Sequence, residues 1–507
     1  MKKTFTQSMA WLHTWGGLLL GWLLVPIFFT GTLAVFEPEL SHWMRPELHQ
    51  ANTRVLPAVQ ASTLAQTRLQ AVAAGAPGWQ IDLPDARNPA LHIGWGSPRA
   101  LQREYLDPRT GAPLRVRATE GGHFFTHFHA ELDAGKVGRA LVCVAGLVML
   151  ASLISGIVLH KKIFQDFFTF RPRASSQRAW LDAHTVLGVL SLPFLLMISY
   201  SGVIMLVDDY LPAATTHLYH GKSGARAEVV KNFERKPLGQ PASLPALAGL
   251  TAQAEHRFGV GMLSQISVRA PGDTAATVRF SRHIHDRLGA VADHVSYDAA
   301  SGALRGVQTD WNPMAYLFRT LVGLHIVKFG GYPALALYFL AGLAASALLA
   351  GGLVLYTIKR RKRGGQAFGV ATTQIHALIE ALNVAAIAGI VLASAAYLWS
   401  NRLLPASWEA RASAEVGGFF AVWALSLLHA LLRPPLRAWF EQVSLAAALC
   451  GLLPLLDVAT GQQSDPIAQG VDAVAVLLAL ALSWLAWRLR PPHAAGHAPV
   501  FLNKAAA

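Results

Sequence analysis

The chain has 507 residues, of which 53% are hydrophobic and 14% are charged, and its formal net charge is +14. This composition is typical of a membrane protein and excludes an ordinary water-soluble domain. The basic residues occur in short loops between apolar runs, so the net charge does not indicate nucleic-acid binding. We expect membrane lipid to surround the chain and no nucleic-acid partner.

Apolar runs long enough to cross roughly 30 Å of hydrocarbon, at about 20 residues each, occur eight times. They lie near residues 9–36, 137–160, 180–207, 333–358, 373–400, 416–432, 438–457 and 470–488. The first run is too long for the apolar part of a signal peptide and lacks a small-residue cleavage site. It therefore predicts a retained first helix.

Basic residues fall on one side of the membrane if both termini are cytoplasmic, as the positive-inside rule requires. They are Lys2, Lys3, Lys161, Lys162, Arg171, Arg173, Arg178, the residues from Lys359 to Arg363, Arg433, Arg437, Arg488 and Arg490. Two long segments, 37–136 and 208–332, then face the opposite compartment. Each mixes a helix-like stretch with strand-like runs, and the recurring spacings Asp107–Gly111 and Asp298–Gly302 predict a turn after a strand in both.

The spacing of histidines and glycines reveals an internal duplication. His13 and His184 are each followed by glycine at 4 and 18 residues, and His129 and His325 by glycine at 6, 17 and 27 residues. The duplicated unit is a helix, an extracytoplasmic segment and a second helix. Because both copies begin on the same side, they are parallel repeats related by a pseudo-two-fold axis along the membrane normal.

This symmetry predicts two pairs of facing histidines. The axis brings equivalent positions to equal depth, so His13 can face His184, and His129 can face His325. Two imidazoles on opposite sides of one iron are the ligands of a low-spin b haem, with Fe–N distances of roughly 2 Å. The sequence therefore predicts two haem b groups, one near each membrane face and about 20 Å or more apart along the helices.

A glycine one helical turn after the ligand is useful for haem binding. Gly17 and Gly188 lie on the same helix face as His13 and His184, where a side chain would strike the porphyrin. Helix packing through Gly17 and Gly21 is the alternative explanation for the first of these glycines.

The other histidines fit the duplication less well. His127 competes with His129 as a ligand, and the repeat register favours His129. We interpret His376 and His429 as structural residues and His160 as a surface residue. The extracytoplasmic histidines are expected to be solvated, with metal binding as the less favoured alternative; they are His123, His283, His285 and His294.

No haem-attachment motif of the C-x-x-C-H type is present, so any haem is held non-covalently. The two cysteines, Cys143 and Cys450, both lie in apolar runs, which argues against a disulfide. No glycine-rich nucleotide-binding motif occurs either, so the electron donor is expected to be a separate molecule.

Several short motifs resemble the PepSY-associated transmembrane family of iron-regulated inner-membrane proteins. They are Trp11–Gly17, Tyr105–Gly111, Phe128–Leu132 with Gly138 and Arg139, Leu181–Thr185, and Gly323–His325 with Gly330 and Gly331. The resemblance covers roughly residues 5–365. In the second module Ala299 replaces the proline of the turn motif.

The resemblance implies a mainly α-helical membrane protein with two small α+β PepSY-like periplasmic domains inserted in the repeat. The expected units are the first helix (1–36), the two PepSY-like domains (37–136 and 208–332), the other repeat helices (137–162, 179–207 and 333–358) and four additional helices (370–490). The expected location is a bacterial inner membrane with both termini in the cytoplasm.

Because the family includes dihaem reductases of ferric siderophores, of the ferrioxamine reductase type, the resemblance also implies an activity. The expected reaction is reduction of an Fe(III)–siderophore, of hydroxamate type, in the periplasm, with release of Fe(II). The donor is expected to be a quinol or a cytoplasmic reductase. Two alternatives remain: a PepSY-type protein that binds or regulates a peptidase, and a component of an iron–siderophore permease.

Overall fold

The computed structural model describes residues 4–51, 55–97, 100–160, 171, 175–221, 229–363, 370–461 and 465–491. The basic residues Lys2, Lys3, Lys161, Lys162 and Arg173 lie outside these ranges. The helices are α1 (Phe5–Ala34), α2 (Glu37–Trp43), α3 (Ala58–Ala73), α4 (His123–Glu131), α5 (Gly135–Leu159), α6 (Ser176–Met205), α7 (Val207–Tyr210), α8 (Pro212–Tyr219), α9 (Leu247–Phe258), α10 (Pro313–Ile326), α11 (Gly331–Arg363), α12 (Val370–Val384), α13 (Ile390–Leu403), α14 (Arg411–Leu432), α15 (Pro435–Gly451), α16 (Leu453–Thr460) and α17 (Pro466–Arg488).

Eight helical stretches of the described chain are long and apolar enough to cross a membrane, which confirms the predicted spans. They correspond to α1, α5, α6, α11, α12 with α13, α14, α15 with α16, and α17. A π-helical turn, Ala385–Gly389, joins α12 to α13 into one span. The protein is therefore a multi-pass membrane protein.

The strands all belong to one antiparallel sheet. They are β1 (Gly78–Asp82), β2 (Leu91–Ser97), β3 (Ala100–Leu106), β4 (Pro113–Leu114), β5 (Leu263–Arg269), β6 (Thr277–Arg282), β7 (His294–Asp298) and β8 (Leu304–Gln308). Their order is β4-β3-β2-β1-β5-β6-β7-β8, so the segments 37–136 and 208–332 each contribute four neighbouring strands. We call the end of the helices that carries this sheet the sheet side.

The two halves of the sheet meet where β1 pairs with β5. Ile81 lies opposite Ile266 and Trp79 opposite Val268 in this antiparallel pairing. Helices α3 and α9 pack on the same apolar core, which is continuous from one half to the other. The sequence predicts two separate modules; the structure instead shows one eight-stranded sheet shared by both segments.

Both predicted turns are present and have the same geometry. The amide of Gly111 donates to the Asp107 carbonyl at 2.8 Å, and that of Gly302 donates to the Asp298 carbonyl at 2.9 Å. Each glycine has φ of +70°, a conformation that other residues adopt only with strain. In each turn the aspartate carboxylate also accepts a backbone N–H.

The repeat helices form a four-helix bundle in which α1 contacts α5 and α11, and α6 contacts the same two helices. The middle of this bundle is an apolar core. Positions related by the repeat meet there: Leu24 of α1 and Leu195 of α6, Met149 of α5 and Ala345 of α11. Each of the four helices is continuous, although α1 contains Pro26 and α6 contains Pro193.

The last four spans pack on the first repeat. Their residues share a core with α1, α2 and α4, which includes Trp43, Phe124 and Tyr397. A buried ion pair between Arg402 and Asp457 strengthens the contact, because Arg402 also donates to the Trp43 carbonyl. The guanidinium carbon lies 4.1 Å from the centre of the Trp43 ring.

Replacing Arg402 with methionine is expected to destabilise the protein by about 3–5 kcal/mol, because Asp457 would stay buried without its partner. Thermal unfolding of the purified protein in detergent measures the loss. The matched control is Arg402→Met combined with Asp457→Leu, which removes both charges and should regain most of the stability. A single variant as stable as the wild type would show that the pair contributes nothing.

Candidate functional site

The structure brings the predicted histidines together in two pairs. The rings of His13 and His184 have centroids 6.3 Å apart and planes at 80°. The rings of His129 and His325 have centroids 5.9 Å apart and planes at 35°. We call His129 and His325 the sheet-side pair, and His13 and His184, at the other end of the bundle, the far pair.

Backbone carbonyls orient three of the four rings. Nδ1 of His13 donates to the Ser152 carbonyl at 3.0 Å, on the neighbouring helix α5. In the sheet-side pair, Nδ1 of His129 donates to the carbonyl of Ile27 at 2.8 Å. The hydrogen bond from His325 runs to the equivalent carbonyl in the second repeat, at 3.1 Å, and Ser201 Oγ lies at the same distance.

Nδ1 of His184 is buried but makes no hydrogen bond of normal geometry within the described chain. The carbonyl of Leu348, which the repeat relates to that of Ser152, is the backbone acceptor in its vicinity. In the other three rings the carbonyl engages Nδ1, so Nε2 is the nitrogen left to bind a metal. None of the four Nε2 atoms has a hydrogen-bond partner among the described residues.

Glycines make room for all four imidazoles. A Cβ atom on Gly31 would lie 2.5 Å from the His129 ring, and one on Gly202 would lie 2.9 Å from the His325 ring. The far pair has the same arrangement, with a Cβ on Gly156 3.4 Å from His13 and one on Gly352 3.3 Å from His184. The glycines that reveal the duplication in the sequence are therefore the surfaces against which the rings pack.

Gly17 and Gly188 have a different environment from these ring-packing glycines. No described atom outside its own helix lies within 4 Å of a Cβ built on Gly17, and a Cβ on Gly188 meets Leu348 at an ordinary 3.7 Å. Gly17 therefore borders open space, whereas Gly188 is in van der Waals contact with Leu348. The helix-packing alternative applies to Gly21, which packs on Leu353.

A largely apolar cavity with an empty volume of about 1430 Å³ surrounds the sheet-side pair. Four repeat-related glycines line it: Gly31, Gly146, Gly202 and Gly342. The hydroxyl of Ser199, also at its wall, is buried without a partner in the described chain. We call this space the central cavity.

The separation within each pair fits a haem iron. Two Fe–N bonds of about 2 Å, with ring centres about 1 Å beyond the nitrogens, require centroids about 6 Å apart. Both measured separations, 6.3 and 5.9 Å, meet this requirement. A carbonyl bond that fixes the tautomer is also the usual support of a metal-bound histidine.

Burial keeps the sheet-side pair neutral. It lowers the pKa of His129, and it lowers the pKa of His325 to about 3, with the neighbouring His129 adding to the effect. Both rings are therefore unprotonated at neutral pH, with a lone pair available for coordination.

A second, polar cavity with an empty volume of about 1300 Å³ adjoins the central cavity. Glu37 and Lys328 line both spaces and so mark their junction. Thr126 donates to the Glu37 carboxylate at 2.6 Å, and His123 lies 3.1 Å from it. Burial opposes ionisation of Glu37, but these hydrogen bonds outweigh it and lower the pKa of the carboxyl group.

The cations of the polar cavity are Arg45, Arg87, Arg103 and Lys328. They come from both of the segments that form the sheet, 37–136 and 208–332. The sequence did not indicate these residues as a group, because they are far apart in the chain and follow no motif.

The remaining histidines differ in their exposure and in their hydrogen-bond partners. His127 points outward beside Glu131, with 48% of its side chain exposed, so it does not compete for the sheet-side pair. Both ring nitrogens of His429 have partners, Glu441 and Gln442, as expected of a structural residue. His294 differs from its predicted solvated position, because it is buried in β7 and contacts backbone carbonyls.

Both cysteines are free and buried, and Cys143 lies at the wall of the central cavity. Two histidine clusters could each hold a metal ion; the first was not predicted, and for His283 and His285 of the second, metal binding was the less favoured alternative. One contains His42, His49 and Asp465, and the other contains Asp85, His283 and His285. In both, residues distant in sequence meet through tertiary packing.

Comparison with known proteins gives two matches. Residues 10–359 match the family described as the PepSY-associated TM region. Uncharacterized protein PA4219 of Pseudomonas aeruginosa is 26% identical over 358 residues, which cover 65% of this chain and 86% of that protein. The family match includes all four paired histidines and ends before the last four membrane spans.

Proposed function

The chain belongs to the PepSY-associated TM family, and we propose that it is a dihaem b reductase that delivers electrons to an Fe(III)–siderophore. The observation that carries the proposal is the pair of facing imidazoles at each end of the repeat bundle, each pair spaced for one iron. Family membership alone does not imply this activity.

In this proposal His13 and His184 hold one haem, and His129 and His325 hold the other. When bound, each haem would carry one electron. The protein provides the ligands, their orientation and the apolar surroundings. The carbonyls fix the ring orientation, the four ring-packing glycines let the helices approach the imidazoles, and the apolar cavity excludes water from the metal.

The helices set the distance between the two pairs. His129 contacts α1 at Ile27 and Gly31, which lie 14 and 18 residues after His13. At 1.5 Å per residue the pairs are about 21–27 Å apart along the helix. The core between them consists of packed apolar side chains such as Leu24, Met149 and Leu195. A carrier at each end therefore shortens the distance that an electron must cross.

We further propose that the sheet faces the periplasm of a bacterium with this protein in its inner membrane. The basic residues at the opposite ends of the helices, Arg178, Arg433 and Arg488 among those described, support cytoplasmic loops there. Electrons would then enter at the far pair, from a quinol or a cytoplasmic reductase, and leave from the sheet-side pair.

The polar cavity is the proposed docking site of the ferric chelate. It adjoins the cavity of the sheet-side pair through Glu37 and Lys328, and residues of both repeats line it. Its arginines present N–H donors to the oxygen-rich ligands of a hydroxamate chelate. Hydroxamates hold Fe(III) tightly and Fe(II) weakly, so one-electron reduction of the chelated iron releases it.

Two observations disfavour the alternative functions. The repeat helices are continuous and their middle is apolar, whereas a permease is expected to have broken helices and polar residues at the membrane midplane. A peptidase-binding protein has no use for four half-buried imidazoles that meet in pairs, each packed on a glycine. Haem content distinguishes these alternatives directly.

The purified protein is expected to contain two haem b per chain, measured as the pyridine haemochrome against protein concentration. His184→Ala should lower the ratio from two to one, because the far pair would lose one ligand. His127→Ala is the matched control and should keep both haems, since its ring points outward. A ratio near zero in the wild type would contradict the proposal and favour a binding protein.

Substitution of the ring-packing glycines is expected to remove one specific haem. Gly31→Ala and Gly202→Ala should each lose the sheet-side haem, because the new methyl group would displace the imidazole beside it. Gly17→Leu should lower occupancy at the far pair by filling the open space there. The control is Gly417→Ala, which has no described neighbour within 4 Å outside its own helix. Full occupancy in all three variants would assign these glycines to helix packing alone.

Dithionite-reduced protein is expected to be reoxidised by a ferric hydroxamate siderophore, with the Fe(II) trapped by a ferrous chelator. His325→Ala should keep the far haem and lose most of the reoxidation rate, whereas His127→Ala should react like the wild type. Stopped-flow absorbance of the haem bands measures both. Reoxidation of His325→Ala at the wild-type rate would place the outlet elsewhere, and a wild type that no ferric chelate oxidises would contradict the reductase proposal.

A further inference from the structure

Two extracytoplasmic loops, one from each repeat, meet at a cluster of possible metal ligands. Asp85 comes from the loop between β1 and β2, and His283 and His285 come from the loop after β6. One ligand atom from each residue lies within 4.8 Å of the others. Two ligands of one metal ion are separated by at most about 4.2 Å, at bond lengths near 2.1 Å, so small side-chain rotations would bring the three into contact with an ion.

The ligand atoms of this cluster are available. Within the described chain neither imidazole makes a side-chain hydrogen bond, and the centroids of the two rings lie 5.0 Å apart. One oxygen of Asp85 accepts the amides of Arg87 and Asn88, which leaves its other oxygen free and holds the carboxylate in place. Burial also lowers the pKa of both histidines, so their rings are neutral and able to coordinate a cation.

The position of the cluster connects it to the proposed reaction. Asp85 and His285 line the polar cavity, which the junction at Glu37 and Lys328 joins to the cavity of the sheet-side pair. An ion leaving a chelate in the polar cavity would therefore meet this cluster without crossing the protein interior. All three residues are half-buried, so water can complete the coordination of an ion there.

We propose that Asp85, His283 and His285 form a site for a divalent transition metal and that it receives the Fe(II) released from the siderophore. Two histidines and one carboxylate with open positions are the ligand set that non-haem Fe(II) favours. The assignment of Fe(II) as the cargo rests on the proposed reductase function. The existence of a divalent-metal site rests on the three side chains alone.

Nearby charges make this a site for transient binding. Lys328 and Arg87 act electrostatically on His285 and oppose a cation, whereas Asp85 attracts it. Arg87 is partly neutralised by its ion pair with Glu39. A product site must release its ion, and these opposing charges together with partial exposure favour release over storage.

The buried cluster of His42, His49 and Asp465 is a weaker candidate. Nε2 of His42 contacts the Asp465 carboxylate, and Nε2 of His49 lies 3.0 Å from the His42 carbonyl. These contacts link α2 to the start of α17, and they already occupy Nε2 of both histidines. Of this cluster only His42 lines the polar cavity. An ion in that cavity therefore has less direct access to this cluster than to the half-buried one.

Anaerobic equilibrium dialysis against ferrous ammonium sulfate tests the site on the full-length protein, reduced with dithionite and desalted beforehand. We expect one Fe(II) per chain beyond the haem iron. His283→Ala/His285→Ala and Asp85→Asn should each weaken this binding about 10-fold or more, with unchanged haem content. His256→Ala, an exposed histidine on α9, and His49→Ala, in the buried cluster, should bind Fe(II) like the wild type.

Three results would overturn the proposal: no additional Fe(II) in the wild type, undiminished binding in the double variant, or loss of binding in His49→Ala alone. A parallel dialysis with Zn²⁺ separates the metals, because a site that takes zinc but not Fe(II) would contradict the product assignment. Failure of the reductase function is distinguishable, since Fe(II) would still bind to protein that lacks haem or reacts with no ferric chelate.

Discussion

The structure depends on one local arrangement that occurs four times: an imidazole packed on a glycine of a neighbouring helix. In three of the four, Nδ1 of the ring also donates to a backbone carbonyl. In the interior of a membrane protein a polar ring must be satisfied by the protein itself, because water is not available to hydrogen-bond it. The carbonyl satisfies one nitrogen and leaves the other free. Since Gly31 and Gly202, or Gly156 and Gly352, are equivalent in the two repeats, the rings meet in pairs, with centroids 6.3 Å and 5.9 Å apart.

The same symmetry continues beyond the bundle, where β1 and β5 join the segments 37–136 and 208–332 into one sheet. A shared sheet fixes the two repeats relative to each other, which keeps the facing histidines in register at the end of the bundle nearest the sheet. The last four spans break the symmetry, because they pack on α1, α2 and α4 of the first repeat.

Periodic features were predictable from the sequence. The eight spans, the turns at Asp107 and Asp298 and the matched positions of the histidines all follow from hydropathy or from repeated spacing. Features that join distant parts of the chain were not. The pairing of β1 with β5, the ion pair of Arg402 with Asp457 and the cluster at Asp85 leave no local pattern, because each depends on tertiary packing. The repeated glycines could be recognised in the sequence. Their contact with the imidazoles could not, because it depends on how the helices pack.

Low-temperature electron paramagnetic resonance of the oxidised protein tests the central claim of two bis-histidine irons most directly. The imidazole planes of the far pair are nearly perpendicular, at 80°, whereas those of the sheet-side pair are at 35°. Because the angle between the axial ligand planes sets the anisotropy of a low-spin ferric haem, the account predicts two low-spin signals, the more anisotropic one absent from His13→Ala. A single signal, a high-spin signal or no haem signal in the wild-type protein would contradict it.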